Sequence, residues 1–136
     1  MREVPNNKFQ ITNKLQTIEA PKKPYNLEER TFQFARDVAL YCKKLSKTIN
    51  NIEYAKQVIR SSGSTGANYI EANEAFSKKD FLMRIKICRK EAKESAYWFR
   101  LIIATNDEES LKIEGKILQD EGVELKKIFS SMVEKK

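Results

Sequence analysis

A chain of 136 residues with 26 Lys and Arg against 19 Asp and Glu carries a formal charge of +7 and has room for one domain with one real core. It contains no histidine, which removes His-based acid–base catalysis, His-containing nucleophile triads and most zinc and di-iron ligand sets. No apolar run approaches the roughly 18 residues of a membrane span, and MREVPNNKFQ lacks a signal-peptide core, so a soluble, non-exported, cytoplasmic protein is expected.

Residues 1–26 read as an N-terminal arm. Pro5, Pro21 and Pro24 punctuate a polar segment with scattered Val4, Phe9, Ile11, Leu15 and Ile18, and PKKP breaks any helix before the main body at 27–136 begins. Four helices are then predicted, each start carrying an amide or hydroxyl cap three residues before a carboxylate: Asn26 with Glu29, Asn50 with Glu53, Ser77 with Asp80, and Asn106 with Glu109. Ile49 with Tyr54 and Phe76 with Phe81 stand at hydrophobic-staple positions around two of these caps.

The apolar stripes agree with that division. Helix one, about 27–47, shows Leu27, Thr31, Phe34, Val38, Tyr41 and Leu45. For helix two, about 52–75, the expected inward row is Ile52, Ala55, Ile59, Ser62, Gly66, Ile70 and Asn73. Helix three, about 78–104, shows Phe81, Ile85, Cys88, Ala92, Ala96, Phe99 and Ile103. In helix four, about 107–133, Leu111, Leu118, Leu125 and Met132 form one row and Gly115, Gly122 and Phe129 the next, the glycines implying close packing. Cys42 and Cys88 fall on apolar helix positions and read as reduced core thiols. The fold expected is all-α, an antiparallel up-down-up-down four-helix bundle with an N-terminal extension.

No known reaction chemistry surfaces along the chain. Glu71 with Glu74, and Glu91 with Glu94, have carboxylates at helical spacing without an imidazole, and SSGSTGAN has glycines and hydroxyls but no GK[ST]. A non-enzymatic protein without cofactor or metal is expected. The run Ser61–Ala67 is a series of poor helix formers in mid-helix and needs compensation. Either small side chains let another helix come close, with Asn68 and Glu71 bridging to a basic neighbour, or they form a surface that admits a ligand.

Charge is uneven. Residues 76–104 hold eight basic against three acidic side chains, whereas residues 105–136 hold six against eight. Lys79, Lys86, Arg89, Lys90, Lys93 and Arg100 cluster with Tyr97 in one sector of helix three, opposite its core stripe. Such a ribbon is either a phosphate-binding face or a solvated face paired with the acidic helix four of the same or a neighbouring subunit. Beside it, Ile87, Trp98 and Leu101 are apolar and off the core stripe, which points to an oligomer contact.

YNLEERTFQFA at 25–35, RSSGSTGANYIEANEA at 60–75, SKKDF at 77–81 and KICRKEAKESAYWFRLI at 86–102 together resemble the bacterial four-helix bundle proteins that include the 23S ribosomal RNA intervening-sequence proteins. The resemblance covers about 25–133. It implies a homopentameric bundle, similar in fold to the accessory variability determinant of diversity-generating retroelements, which works with nucleic acid and a reverse transcriptase. Arg60, Asn68 and Glu71 match the family's central motif, and Lys90, Glu91, Glu94, Tyr97 and Trp98 its second one; Arg60, Asn68, Glu71, Glu91 and Glu94 are expected to form a polar network. LSKTINNIEY lacks the Leu-Pro often seen between the first two helices, and residues 1–24 extend beyond the usual start.

The function expected is a homo-oligomeric nucleic-acid-binding protein, acting on RNA or an RNA–protein complex through the basic face of helix three. Its partners would be RNA and, by resemblance, a reverse transcriptase or ribosomal component, with no membrane involved. The alternative is a homo-oligomeric scaffold in which basic helix three pairs with acidic helix four of a neighbour and no nucleic acid is bound.

Overall fold

The computed structural model describes residues 26–135, so the expected arm lies outside the described residues except for Asn26. Four helices follow in order: α1 Leu27–Cys42, α2 Ile49–Asn73, α3 Lys78–Thr105 and α4 Glu109–Glu134. Each packs against its neighbours in sequence, and α4 returns to α1. Every adjacent pair runs antiparallel. On α1 and α2, Thr31 meets Gly66 while Glu28 accepts from Asn73; on α2 and α3, Ser61 meets Ser95 while Asn68 meets Arg84. On α4 and α1, Glu121 meets Arg30 and the Leu111 carbonyl accepts from Tyr41. This is the expected up-down-up-down bundle, and no helix among the described residues is long and apolar enough to cross a membrane.

The core stripes of α1, α3 and α4 fall where periodicity puts them, except that Ile102 rather than Ile103 is buried at the end of α3. Phe34, Val38, Tyr41, Ile85, Cys88, Ala92, Phe99, Leu111, Leu118, Leu125 and Phe129 are buried in one cluster. Aromatic pairs cross the bundle diagonally, Tyr41 edge-on to Phe99 at 5.6 Å and Tyr69 to Phe129 at 5.9 Å. Burial pushes the Cys88 thiol up to about 12 and the half-buried Cys42 thiol up to about 11, so both are protonated at neutral pH.

The inward face of α2 differs from the expected one. Asn51, Val58, Ser61, Ser62, Thr65 and Ala72 are buried, whereas Ile52, Ile59 and Ile70 are exposed. The reason is the small-residue run. Ser61 exchanges a 2.7 Å hydrogen bond with Ser95, Thr65 donates to the Ser61 carbonyl, and Ser62 to the Ile59 carbonyl, so the hydroxyls are satisfied inside the bundle. At Gly66 an added Cβ would lie 2.9 Å from the Thr31 hydroxyl oxygen, which makes glycine a condition of the α1–α2 approach. Gly115 serves α4 the same way against Tyr41 and Ile103, and Gly122 against Ala92 and Ala96.

Two caps and both staples also differ. Asn26 and Ser77 cap α1 and α3 as expected, but Thr48, not Asn50, accepts from the Asn51 N–H at the start of α2. Asn106 closes α3 rather than opening α4, which begins after Glu108 without a side-chain cap. Its amide is used elsewhere: Asn51 and Asn106 exchange hydrogen bonds of 3.0 and 2.9 Å, and Asn51 also donates to the Ser46 carbonyl. That pair ties the α1–α2 connection to the end of α3. Helix α1 stops at Cys42, short of the expected 47, though Leu45 still turns into the core. Ile49 lies within α2 and Phe76 is fully exposed, so neither forms a staple.

Candidate nucleic-acid interface

Helix α3 spans about 42 Å at 1.5 Å per residue. Its buried row of Ile85, Cys88, Ala92, Phe99 and Ile102 fixes the rotation of the whole helix, and the cationic sector is thereby turned outward. Lys79, Lys86, Lys90, Lys93 and Arg100 are exposed and Arg89 is half-buried.

Gly122 lets α4 lie close to α3, since a Cβ there would sit 3.3 Å from the Ala92 carbonyl oxygen. One turn further on, Lys126 reaches the same groove. Lys86, Arg89, Lys90 and Lys93 of α3 and Lys126 and Ser130 of α4 line an open cleft of about 350 Å³. The structure thus brings four of the six ribbon residues together and adds two that sequence reasoning missed. Lys79 and Arg100 remain outside the cleft on the same face. The α3–α4 register places Lys126, and no signal within α4 alone marks it.

What surrounds these cations matters as much as their number. Among the described residues Lys86, Arg89, Lys93, Arg100 and Lys126 have no ion-pair partner, and Lys90 has a long contact of 3.9 Å with Glu91. The acids of α3 are drawn to the other side. Arg60 of α2 reaches Glu94 at 3.2 Å and Glu91 at 3.5 Å, while Asp80 sits in the first turn, where a carboxylate favours the helix dipole. Unlike-charge neutralisation along the ribbon is therefore small, and its positive potential stands.

The expected polar network is divided. Arg60, Glu91 and Glu94 form one group as anticipated. Asn68 forms another, accepting from Arg84 at 3.0 Å and donating to the Ser64 carbonyl. Glu71 joins neither; it lines a separate cleft at the α2–α3 turn with Glu74, Phe76, Asp80, Met83, Arg84 and Ile87. A buried pair that sequence reasoning missed lies on the opposite flank: Arg30 makes two hydrogen bonds of 2.7 and 2.9 Å to Glu121, the two side chains 4% and 8% exposed. The hydrogen bond to Glu121 holds the Arg30 guanidinium above its usual range, against the opposing effect of burial.

The three apolar residues expected at an oligomer contact, Ile87, Trp98 and Leu101, are all half-buried in the single chain. Trp98 packs against the core between Tyr54 at 6.0 Å and Tyr97 at 5.3 Å, with Leu101 one turn on, whereas Ile87 lies three turns earlier on α3. Outward-facing apolar side chains lie on α1 and α2, and also at Met83 on α3 and Ile113 on α4. Phe32 (59% exposed) and Ile70 flank a shallow groove floored by Ala35, Gly63, Gly66 and Ala67. Among the described residues nothing lies within 4 Å of a Cβ added at Gly63, so packing among them does not require glycine there.

Residues 25–130 match the model of the 23S rRNA-intervening sequence protein family. The chain belongs to that family. A solved structure, that of a protein of unknown function from the S23 ribosomal protein family of Bacteroides thetaiotaomicron, is similar at TM-score 0.65 and 30% identity, covering 79% of this chain and 98% of that one. No curated protein matches the chain. In this member of the 23S rRNA-intervening sequence protein family the matched span contains the cleft whole, from Lys86 to Ser130.

Proposed function

We propose that this protein is a non-enzymatic, oligomeric RNA-binding protein that holds phosphates in the α3–α4 cleft. The observation that carries the reading is five cations lining one open groove, four of them without an ion-pair partner among the described residues. The like charges of Lys86, Arg89, Lys90, Lys93 and Lys126 favour a polyanion, and each phosphate neutralised releases condensed counterions. The family name, which refers to 23S rRNA, agrees with RNA as that polyanion. One subunit offers few contacts, so assembly through the apolar outer face of α1 and α2 would multiply a weak site.

The scaffold reading needs free acids on α4 to meet a neighbour's ribbon. Along the middle of α4 those acids are engaged within the chain: Glu114 with Lys44, Asp120 with Lys116 and Glu121 with Arg30. This favours RNA over a neighbour's helix as the ribbon's partner.

The test is binding of labelled single-stranded and structured RNA at about 50 and about 200 mM salt, with a variant reversing Arg89, Lys93 and Arg100 to Glu and native mass read in parallel. Salt-sensitive binding that the variant loses while keeping its mass is expected. Absence of binding at low salt, with the variant falling to monomers, would make the ribbon an assembly contact.

A further inference from the structure

Tyr97 stands in the middle of the ribbon. On a helix it lies one turn from Lys93 and from Arg100 and two turns from Lys90, so its ring shares their outward sector. It is 52% exposed, Trp98 packs against it at 5.3 Å with the rings inclined at 67°, and Trp98 is in turn supported by Tyr54. Cations alone are sufficient for a duplex backbone. An A-form duplex keeps its bases stacked inside and offers an aromatic ring nothing to stack on, whereas unpaired bases splay onto exposed aromatic faces while their phosphates track neighbouring cations.

We infer that the ribbon takes unpaired RNA, a single strand or a loop, with one base stacked on Tyr97 and the flanking phosphates on Lys93 and Arg100. This rests on the RNA-binding reading and narrows it to a substrate class. Trp98 acts as a positioning residue, since it packs against the ring and is itself half-buried against the core.

The experiment compares the full chain with Tyr97→Ala and Tyr97→Phe by fluorescence anisotropy, using one labelled 12-nucleotide RNA alone and annealed to its complement, with circular dichroism confirming the helix content of each variant. The wild type is expected to bind the single strand more tightly than the duplex. Tyr97→Ala should lose roughly tenfold to hundredfold in single-strand affinity with duplex affinity unchanged, and Tyr97→Phe should retain the wild-type preference. Equal binding of both RNAs, insensitive to Tyr97→Ala, would overturn the inference while leaving a phosphate-binding ribbon. Binding of neither RNA would overturn both it and the reading on which it rests.

Discussion

Two regions of this bundle hold their cations in opposite ways. On the α1–α4 flank Arg30 is buried and fully committed to Glu121; on the α3–α4 flank Lys86, Arg89, Lys93 and Lys126 crowd one cleft with no ion-pair partner among the described residues. The first arrangement is intelligible from the protein alone, because a buried guanidinium without its carboxylate would be an uncompensated charge. The second is not, because like charges placed together lower stability rather than raise it. The difference separates residues that hold the fold from residues that the proposed function assigns to a polyanion.

Mutation can break that contrast, and the largest effect is expected at the buried pair. Glu121→Ala leaves Arg30 buried without its hydrogen-bonded carboxylate and should cost about 3–5 kcal/mol in urea unfolding, while the fraction that remains folded keeps its RNA affinity. A loss much under 1 kcal/mol would mean that water reaches Arg30 freely. The glycines sharpen the same distinction at smaller scale. Gly115→Ala drives a methyl to 2.9 Å from the Tyr41 hydroxyl and 3.1 Å from Ile103, a strain of about 1–3 kcal/mol. At Gly63 the methyl meets none of the described residues, so Gly63→Ala should stabilise the dilute chain by about 0.5–1 kcal/mol and, with assembly through the outer face of α2, lower the native mass. Calorimetry and native mass spectrometry read both. Smallest of all is the effect of the ribbon on stability: neutralising Lys93 or Lys126 should stay within about 0.5 kcal/mol.

How far the sequence carried the fold depends on the element. In α1, α3 and α4 large apolar residues recur at helical spacing and do face inward, so Phe34, Ile85, Phe99, Leu118 and Leu125 were legible. In α2 the same rule placed Ser62 and Gly66 correctly but failed at Ile52, Ile59 and Ile70, which face outward, while Ser61, Thr65 and Ala72 complete the buried face. Hydroxyls that bond back to their own helix behave as small packing groups, and a hydropathy count does not register that. Cap spacing was equally ambiguous where a second candidate stood nearby: Thr48 lies two residues before Asn50, and Asn106 found a partner in Asn51. The ribbon was legible as a sector of one helix. Lys126 and the Arg30–Glu121 pair were not, since the first depends on the register of two helices and the second joins residues 91 apart in the chain.

The central claim, that the cleft cations are held for phosphates, is tested most directly by the salt dependence of RNA affinity in the wild type and in a Lys93→Ala, Lys126→Ala double variant. Each phosphate contact on a single strand contributes about 0.7 to the slope of log affinity against log salt. The account predicts a steep wild-type slope that becomes shallower by about 1.4 in the variant, with unfolding and native mass unchanged. A slope that is the same in both proteins, or RNA binding indifferent to salt, would contradict it.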